Sequence, residues 1–263
     1  MRIIKASFVI AFGLLWGTAA QASFLCISGG APGSPSGFNE VYSICGVSTG
    51  PISGSDSSID GSAKSFADYG VLKAFASVAA TGTVNSHAEA SADFFEDFIL
   101  SGGAPGTSGE VRFGMSLTGS LTFTGPDAFT GSSAISADIY ILSADCIGSC
   151  AHDGLIQVTE GSINRELVVD YVFTFDSSGD YVFSLEAGIE AQANGPFGGT
   201  ADFYDTAIVN TLSIPGGTTL TAASGTIYPL IDAAVPEPST ALIVMSGLIG
   251  LAALRRRLRP PAG

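Results

Sequence analysis

Few residues of this 263-residue chain could do covalent or metal chemistry, and their spacing fits such sites poorly. Neither histidine, His87 or His152, lies in an H-E-x-x-H or similar ligand motif. Cys146 and Cys150 precede His152 as C-x3-C-x-H, which lacks the C-x2-C spacing of structural zinc sites. We find no nucleophile elbow between a strand and a helix, no phosphate-binding loop and no dinucleotide fingerprint. We therefore expect no catalytic residue, no metal site and no enzyme.

Paired carboxylates are the remaining candidates, because glycoside hydrolysis uses two of them beside the scissile bond. Glu96 with Asp97, and Glu186 with Glu190, are close enough in sequence to be considered. Glu186 and Glu190 fall on the polar face of a predicted strand, where solvated surface carboxylates are usual. A secreted polysaccharide hydrolase is therefore our third hypothesis, behind two non-enzymatic ones.

The elements that must position these residues are β-strands. Every second residue is apolar in three segments, 113–123, 167–175 and 181–191, and no long amphipathic helix pattern accompanies them. Strands of this kind bury one face and wet the other, which is typical of antiparallel sheets packed as a sandwich. Residues 176–180, between the last two segments, are predicted to form a hairpin loop.

An internal similarity refines the prediction. Residues 92–100 and 201–209 share the pattern A-D-F-aromatic, and each follows a strand of small alternating residues. Equivalent units in two halves of one sandwich would explain the similarity, so we predict an all-β, antiparallel, jelly-roll-like β-sandwich. We assign residues 63–234 to it and set apart residues 23–62, which are rich in Gly, Ser and Pro.

The charge of the body limits its partners. Residues 23–234 keep four of the ten basic residues and 23 of the 24 acidic ones, a net charge of −19. Such a surface repels nucleic acid and anionic membranes and keeps the protein soluble. We expect no cofactor; calcium, bound near the acidic run 56–61, is the alternative, although that run lacks the spacing of an EF-hand.

The four cysteines indicate disulfides. An even number in an exported chain favours bridges over free thiols. Four cysteines allow three pairings, of which sequence proximity favours Cys26 with Cys45 and Cys146 with Cys150.

The N-terminus predicts export. Basic residues at positions 2 and 5 precede an apolar stretch, and Ala20 and Ala22 supply the small residues of a signal-peptidase site. Cleavage after Ala22 by signal peptidase would remove signal peptide 1–22 and leave Ser23 as the first residue.

The C-terminus has three parts in a fixed order, over residues 235–259. Pro236, Glu237 and Pro238 precede an uncharged stretch, 240–254, and then a cluster of basic residues. At 1.5 Å per residue this stretch makes a helix of roughly 22 Å, a marginal membrane span. Its basic cluster would hold the C-terminus on the cytoplasmic side. The four cluster residues are Arg255, Arg256, Arg257 and Arg259.

This tail resembles the PEP-CTERM sorting signal of Gram-negative bacteria. The resemblance implies transient insertion of the hydrophobic helix in the inner membrane and recognition by an exosortase. It also implies delivery to the cell surface or the extracellular matrix, in bacteria that produce exopolysaccharide. An ordinary membrane anchor, the alternative for the tail, is usually longer and needs no Pro-Glu-Pro element.

The resemblance and the body together favour a non-enzymatic surface or matrix protein associated with exopolysaccharide or a biofilm. The second hypothesis is a lectin-like, glycan-binding module, calcium-assisted or not, since β-sandwiches bind sugars on faces that carry aromatic residues. Its candidate aromatics are Phe129, Tyr140, Phe197 and Tyr204, all of which could equally serve packing.

Overall fold

The structure is a computed structural model that describes residues 23–32, 42–80, 86–123, 133–146, 148–158, 160–195 and 198–230. The predicted signal peptide, the sorting tail with its helix 240–254, and the aromatics Phe129 and Phe197 lie outside these residues. Within the described ranges, no helix has the length and apolar character needed to cross a membrane.

Antiparallel strands make up nearly all of this part of the chain, because most of its segments alternate buried and exposed residues. The strands are β1 (Ser23–Gly30), β2 (Tyr42–Gly46), β3 (Ile52–Ser58), β4 (Gly61–Asp68), β5 (Val71–Val78), β6 (His87–Ser101), β7 (Ser108–Phe123), β8 (Ala134–Leu142), β9 (Ser149–Gln157), β10 (Gly161–Thr174), β11 (Asp180–Asn194), β12 (Gly199–Ser213) and β13 (Thr219–Ala222).

These strands form two sheets whose order is that of a jelly roll. One sheet has the order β2-β1-β6-β11-β8-β9, with β13 also paired to β6, and the other has the order β10-β7-β12-β5-β4-β3. Along β5–β12 the chain crosses between sheets at every connection except the β8–β9 hairpin. In each sheet the four members of this set are consecutive, as in an eight-stranded jelly roll. The predicted all-β, antiparallel, jelly-roll-like sandwich is confirmed.

Two details of the predicted organisation differ from the structure. The loop at 176–180 is not a hairpin, because β10 and β11 belong to opposite sheets and meet through their apolar faces instead of pairing. The Gly-, Ser- and Pro-rich segment 23–62 does not stand apart, since β1 pairs with β6 and β3 pairs with β4. The small residues therefore belong to the outer strands of the sandwich. Fewer side chains pack against these strands, so large apolar residues are not needed there.

The core lies between the inner faces of the two sheets and is richest in aromatic rings at one end. The ring of Phe98 lies 5.3–5.4 Å from the rings of Phe113, Phe183 and Tyr228, measured between centroids. All four side chains are buried. Ring pairs in this range add dispersion and quadrupole attraction to the hydrophobic gain, so this cluster joins the two sheets and the C-terminal segment.

One carboxylate points into this core. Glu96 is 0% exposed, and its oxygens accept hydrogen bonds from the Ser224 amide, at 2.9 Å, and from the Tyr228 hydroxyl. Burial raises the pKa of Glu96 and that of Tyr228. Because a buried carboxylate needs such donors, Glu96 fixes residues 224–228 against β6.

Both cysteine pairs that sequence proximity favours form disulfides, and none of the four cysteines is free. Cys26 and Cys45 are direct cross-strand partners in β1 and β2, so their bridge fastens the outer strand of the seven-stranded sheet. The Cys146–Cys150 bridge closes the short turn between β8 and β9.

Candidate functional site

The outer face of the seven-stranded sheet gathers carboxylates and aromatic rings, and we call it the acidic face. One row of cross-strand partners runs from β1 to β9 across five strands, in the order Phe24, Phe95, Glu186, Tyr140 and His152. The outer pairs of this row stack, with ring centroids 5.0 Å apart on the β1 side and 4.3 Å apart on the β9 side. A carboxylate thus lies between two stacked aromatic pairs.

The next row alternates carboxylates with glycines. Asp93 is the partner of Gly188, which is in turn the partner of Asp138, and Asp138 faces Gly154. A Cβ atom added at Gly188 would clash with the Asp93 carboxylate, and one at Gly154 would clash with that of Asp138. The missing side chains therefore let both carboxylates lie flat over the sheet. Glu190, one row further, also faces outward.

The electrostatics of the acidic face raise the pKa values of several of its carboxyl groups and so favour their protonated forms. Burial, together with the charges of Glu186, Glu190 and Asp138, raises the pKa of Asp93 to about 7. Burial also raises the pKa of Glu186 and of Glu190. Among the described residues, none donates a hydrogen bond to the Asp93 carboxyl. Near neutral pH this group can therefore either donate or accept a hydrogen bond from a ligand.

This combination suits a polyhydroxylated ligand. Aromatic faces pack against the apolar C–H faces of sugar rings, while neighbouring carboxylates accept hydrogen bonds from hydroxyl groups. General acid catalysis also uses a carboxyl of raised pKa, but it requires a second carboxylate at a defined separation across the scissile bond. The chemical groups of the acidic face therefore fit glycan binding better than they fit glycan hydrolysis.

Only one of the carboxylate pairs considered from sequence is brought together on one face. Glu186 and Glu190 both face outward on β11 and flank Gly188. Glu96 and Asp97 are adjacent in β6, so their side chains point to opposite sides of the sheet and cannot act as a pair. Glu96 belongs to the core, whereas the Asp97 carboxylate accepts a hydrogen bond from the Ser184 hydroxyl at 2.5 Å.

The histidines and cysteines do not converge. His87 Nε2 lies 3.1 Å from Glu89, and His152 Nε2 lies 3.1 Å from Asp138, at separate places on the acidic face. Cys146 and Cys150 are consumed by their disulfide. Within the described ranges, no three His, Cys, Asp or Glu side chains are arranged to hold a metal ion.

Sequence reasoning missed several members of the acidic face, among them Asp93, Asp138, Phe24 and Phe95, because each reaches this face only through pairing between strands. It also missed a literal G-x-S-x-G match at residues 46–50. That run joins β2 to β3 with no helix after it, and the Ser48 hydroxyl donates to the Gly50 carbonyl, so it is not a nucleophile elbow.

The remaining predicted residues are distributed as follows. Tyr140 lies on the acidic face, whereas Tyr204 lies on the outer face of the other sheet, in β12. Ser23, the predicted first residue after signal cleavage, is the first residue of β1. Ala20, Ala22, the Pro-Glu-Pro residues and the C-terminal arginines lie outside the described residues.

Comparison with known proteins bears on the tail. Residues 234–257 match the family model for the PEP-CTERM protein-sorting motif, so the resemblance inferred from 235–259 is confirmed. The motif indicates an exported protein that an exosortase processes, destined for the cell surface or the extracellular space. No curated protein matches the chain.

The chain is similar to a solved structure, the enzymatically active domain of tailspike protein 4 from bacteriophage CBA120. The two are 14% identical, and the match covers 61% of this chain and 19% of that one, with a TM-score of 0.21. The chain thus spans about a fifth of the tailspike domain. A similarity at this level carries no inference about activity.

Proposed function

We propose that this exported protein is a non-enzymatic component of the extracellular polysaccharide matrix, and that its acidic face is where it contacts glycan. The observation that carries the first part is the sorting motif at 234–257. The resemblance stated above links this sorting route to bacteria that produce exopolysaccharide.

The acidic face supports the second part. Glu186 lies between two stacked aromatic pairs, and Asp93 lies over Gly188 with a carboxyl that no described residue satisfies. Rings that only packed the fold would face the core, as Phe98 does; the four rings of the row, Phe24, Phe95, Tyr140 and His152, face outward instead. A ligand that offers apolar ring faces and hydroxyl groups would cover the exposed aromatic rings and would form hydrogen bonds with the Asp93 carboxyl.

Deletion of the gene in the native host tests the matrix role. We expect weaker biofilm or floc cohesion, restored by the full chain but not by a chain in which Pro236 and Pro238 are changed to Ala. Without the rigid extended element, the protein should stay in the inner membrane. The matched control is Pro215→Ala, which alters a proline of the body outside the tail.

Two results would count against the matrix role. A deletion strain with unchanged cohesion and unchanged matrix yield would contradict it. So would full restoration of cohesion by the Pro236 and Pro238 variant while the protein stays in the inner membrane, because cohesion would then not depend on the protein reaching the matrix.

A further inference from the structure

The outer face of the other, six-stranded sheet carries a second group of side chains with a different chemistry. Lys64 and Phe66 on β4 are the cross-strand partners of Phe75 and Lys73 on β5, so ammonium groups and aromatic rings alternate on two neighbouring rows. Each lysine lies over a ring, with Nζ-to-centroid distances of 5.7 Å for Lys64 and Phe75 and 5.8 Å for Lys73 and Phe66. With Tyr204 these residues form what we call the basic aromatic patch.

Tyr204 completes the patch because β12 is irregular there. Between Asp202 and Ala207 the register of β12 shifts against both of its neighbours, β5 and β7. The Tyr204 amide donates to the Asp202 carboxylate at 2.7 Å, which stabilises the irregular backbone. Bulges re-aim side chains, and here the Tyr204 ring lies 6.0 Å from Lys64 Nζ and 5.5 Å from Lys73 Nζ.

The charge of the patch is unusual for this chain. Only four basic residues stand among 23 acidic ones in the body, yet two of the four lie beside one tyrosine ring. Among the side chains that the structure describes, which do not include those of Asp205 and Thr206, no carboxylate lies within ion-pair distance of either lysine, whereas Arg112 on the same sheet pairs with Asp170 at 3.3 Å. Two like charges near one ring repel each other, and an anion placed between them would remove that cost.

We propose that the basic aromatic patch binds a carboxylate-bearing polysaccharide. The three rings would stack on sugar rings, and the two ammonium groups would contact sugar carboxylates. Nucleic acid fits less well, because a DNA duplex carries one phosphate per about 1.7 Å of its axis, and the acidic body repels so dense a charge more strongly than a polymer with at most one carboxylate per sugar. The proposal deepens the proposed matrix function by naming a ligand class, but its site lies on a different sheet from the acidic face.

Affinity electrophoresis of the mature protein in gels containing polygalacturonate, with neutral dextran as the comparison, tests the proposal. We expect retardation by polygalacturonate that weakens as salt rises. Changing Lys64 and Lys73 together to Met, which keeps the apolar stems, should weaken binding about tenfold, and Tyr204→Ala should weaken it several-fold. Arg112→Met is the matched control on the same sheet and should bind as the natural protein does.

Circular dichroism and thermal unfolding establish that each variant is folded. Absence of retardation, or weakening by Arg112→Met as large as that by the double lysine change, would overturn the proposal, since the effect would then reflect net charge alone. Lysine changes that alter self-association in sedimentation but not retardation would overturn it in favour of a contact between copies. Binding is measured on purified protein, whereas the matrix function is tested by the cohesion of a deletion strain. A failure of the proposed patch can therefore be distinguished from a failure of the proposed matrix function.

Discussion

The Asp93→Asn variant is expected to be more stable than the natural protein at pH 8 and nearly equal to it at pH 4. The folded protein raises the pKa of Asp93 to about 7, whereas the unfolded chain leaves it near 3.8. The folded state therefore holds this proton more tightly, and the stability it confers is present below pH 4 and lost as the pH rises through 7. An amide cannot ionise, so the variant escapes a loss of about 4 kcal/mol at pH 8, which is roughly 1.36 kcal/mol for each unit between the two pKa values.

Urea unfolding at pH 4, 6 and 8 measures this difference. Asp176→Asn is the control, because hydrogen bonds from Ser178 and from the backbone of its own turn lower the pKa of Asp176. A lowered pKa gives the opposite sign: the contribution of Asp176 is present at neutral pH and is lost as the pH falls below 4. If Asp93→Asn unfolds in parallel with the natural protein at all three pH values, the carboxyl is not desolvated as described.

A carboxyl whose ionised form destabilises the sheet does not serve the fold, and this is why we place a ligand beside it. The acidic face has the residues for hydrogen bonding at this point and the aromatic pairs for stacking one row away. The basic aromatic patch lies on the opposite side of the sandwich, so the two surfaces can be altered separately.

Two phenylalanines of β6 should differ sharply when truncated. Phe98→Ala is expected to lower the free energy of unfolding by about 3–5 kcal/mol, because its ring fills the buried aromatic cluster and leaves a cavity when removed. Phe95→Ala, three residues away on the acidic face, should cost about 1 kcal/mol, the stacking with Phe24 that it loses.

Denaturant midpoints of the two variants check this contrast between core and surface rings. Similar losses for both would mean that the outer rings are part of the core. In that case the aromatic row of the acidic face would be explained by packing and would not support a ligand.

The period-two pattern predicts most strand faces, and residues such as Phe113 and Phe183 lie where alternation places them, in the core. The pattern cannot tell which strands are neighbours. The 176–180 loop has the length and composition of a hairpin turn, yet it crosses between the two sheets. Two consecutive strands with one apolar face each can bury these faces either by pairing in the same sheet or by packing against each other from opposite sheets.

The candidate site depends on that missing information. Asp93 lies beside Gly188 only because β6 pairs with β11 in one particular register, and a shift of one residue would turn it into the core. Tyr204 reaches both lysines only because β12 is irregular. The sorting tail, in contrast, is a local signal that the sequence carries in full, which is why the sequence alone sufficed to recognise it.

The most direct test of glycan contact at the acidic face is a calorimetric titration of the mature protein with a neutral β-glucan. We predict saturable binding, without turnover of the glucan, that Tyr140→Ala and Phe95→Ala each weaken about tenfold. Val182→Ala, which removes an exposed apolar residue from the same face outside the aromatic row, should leave the affinity unchanged. No saturable binding, equal affinities in all three variants, or hydrolysis of the glucan would contradict a non-enzymatic, glycan-binding face.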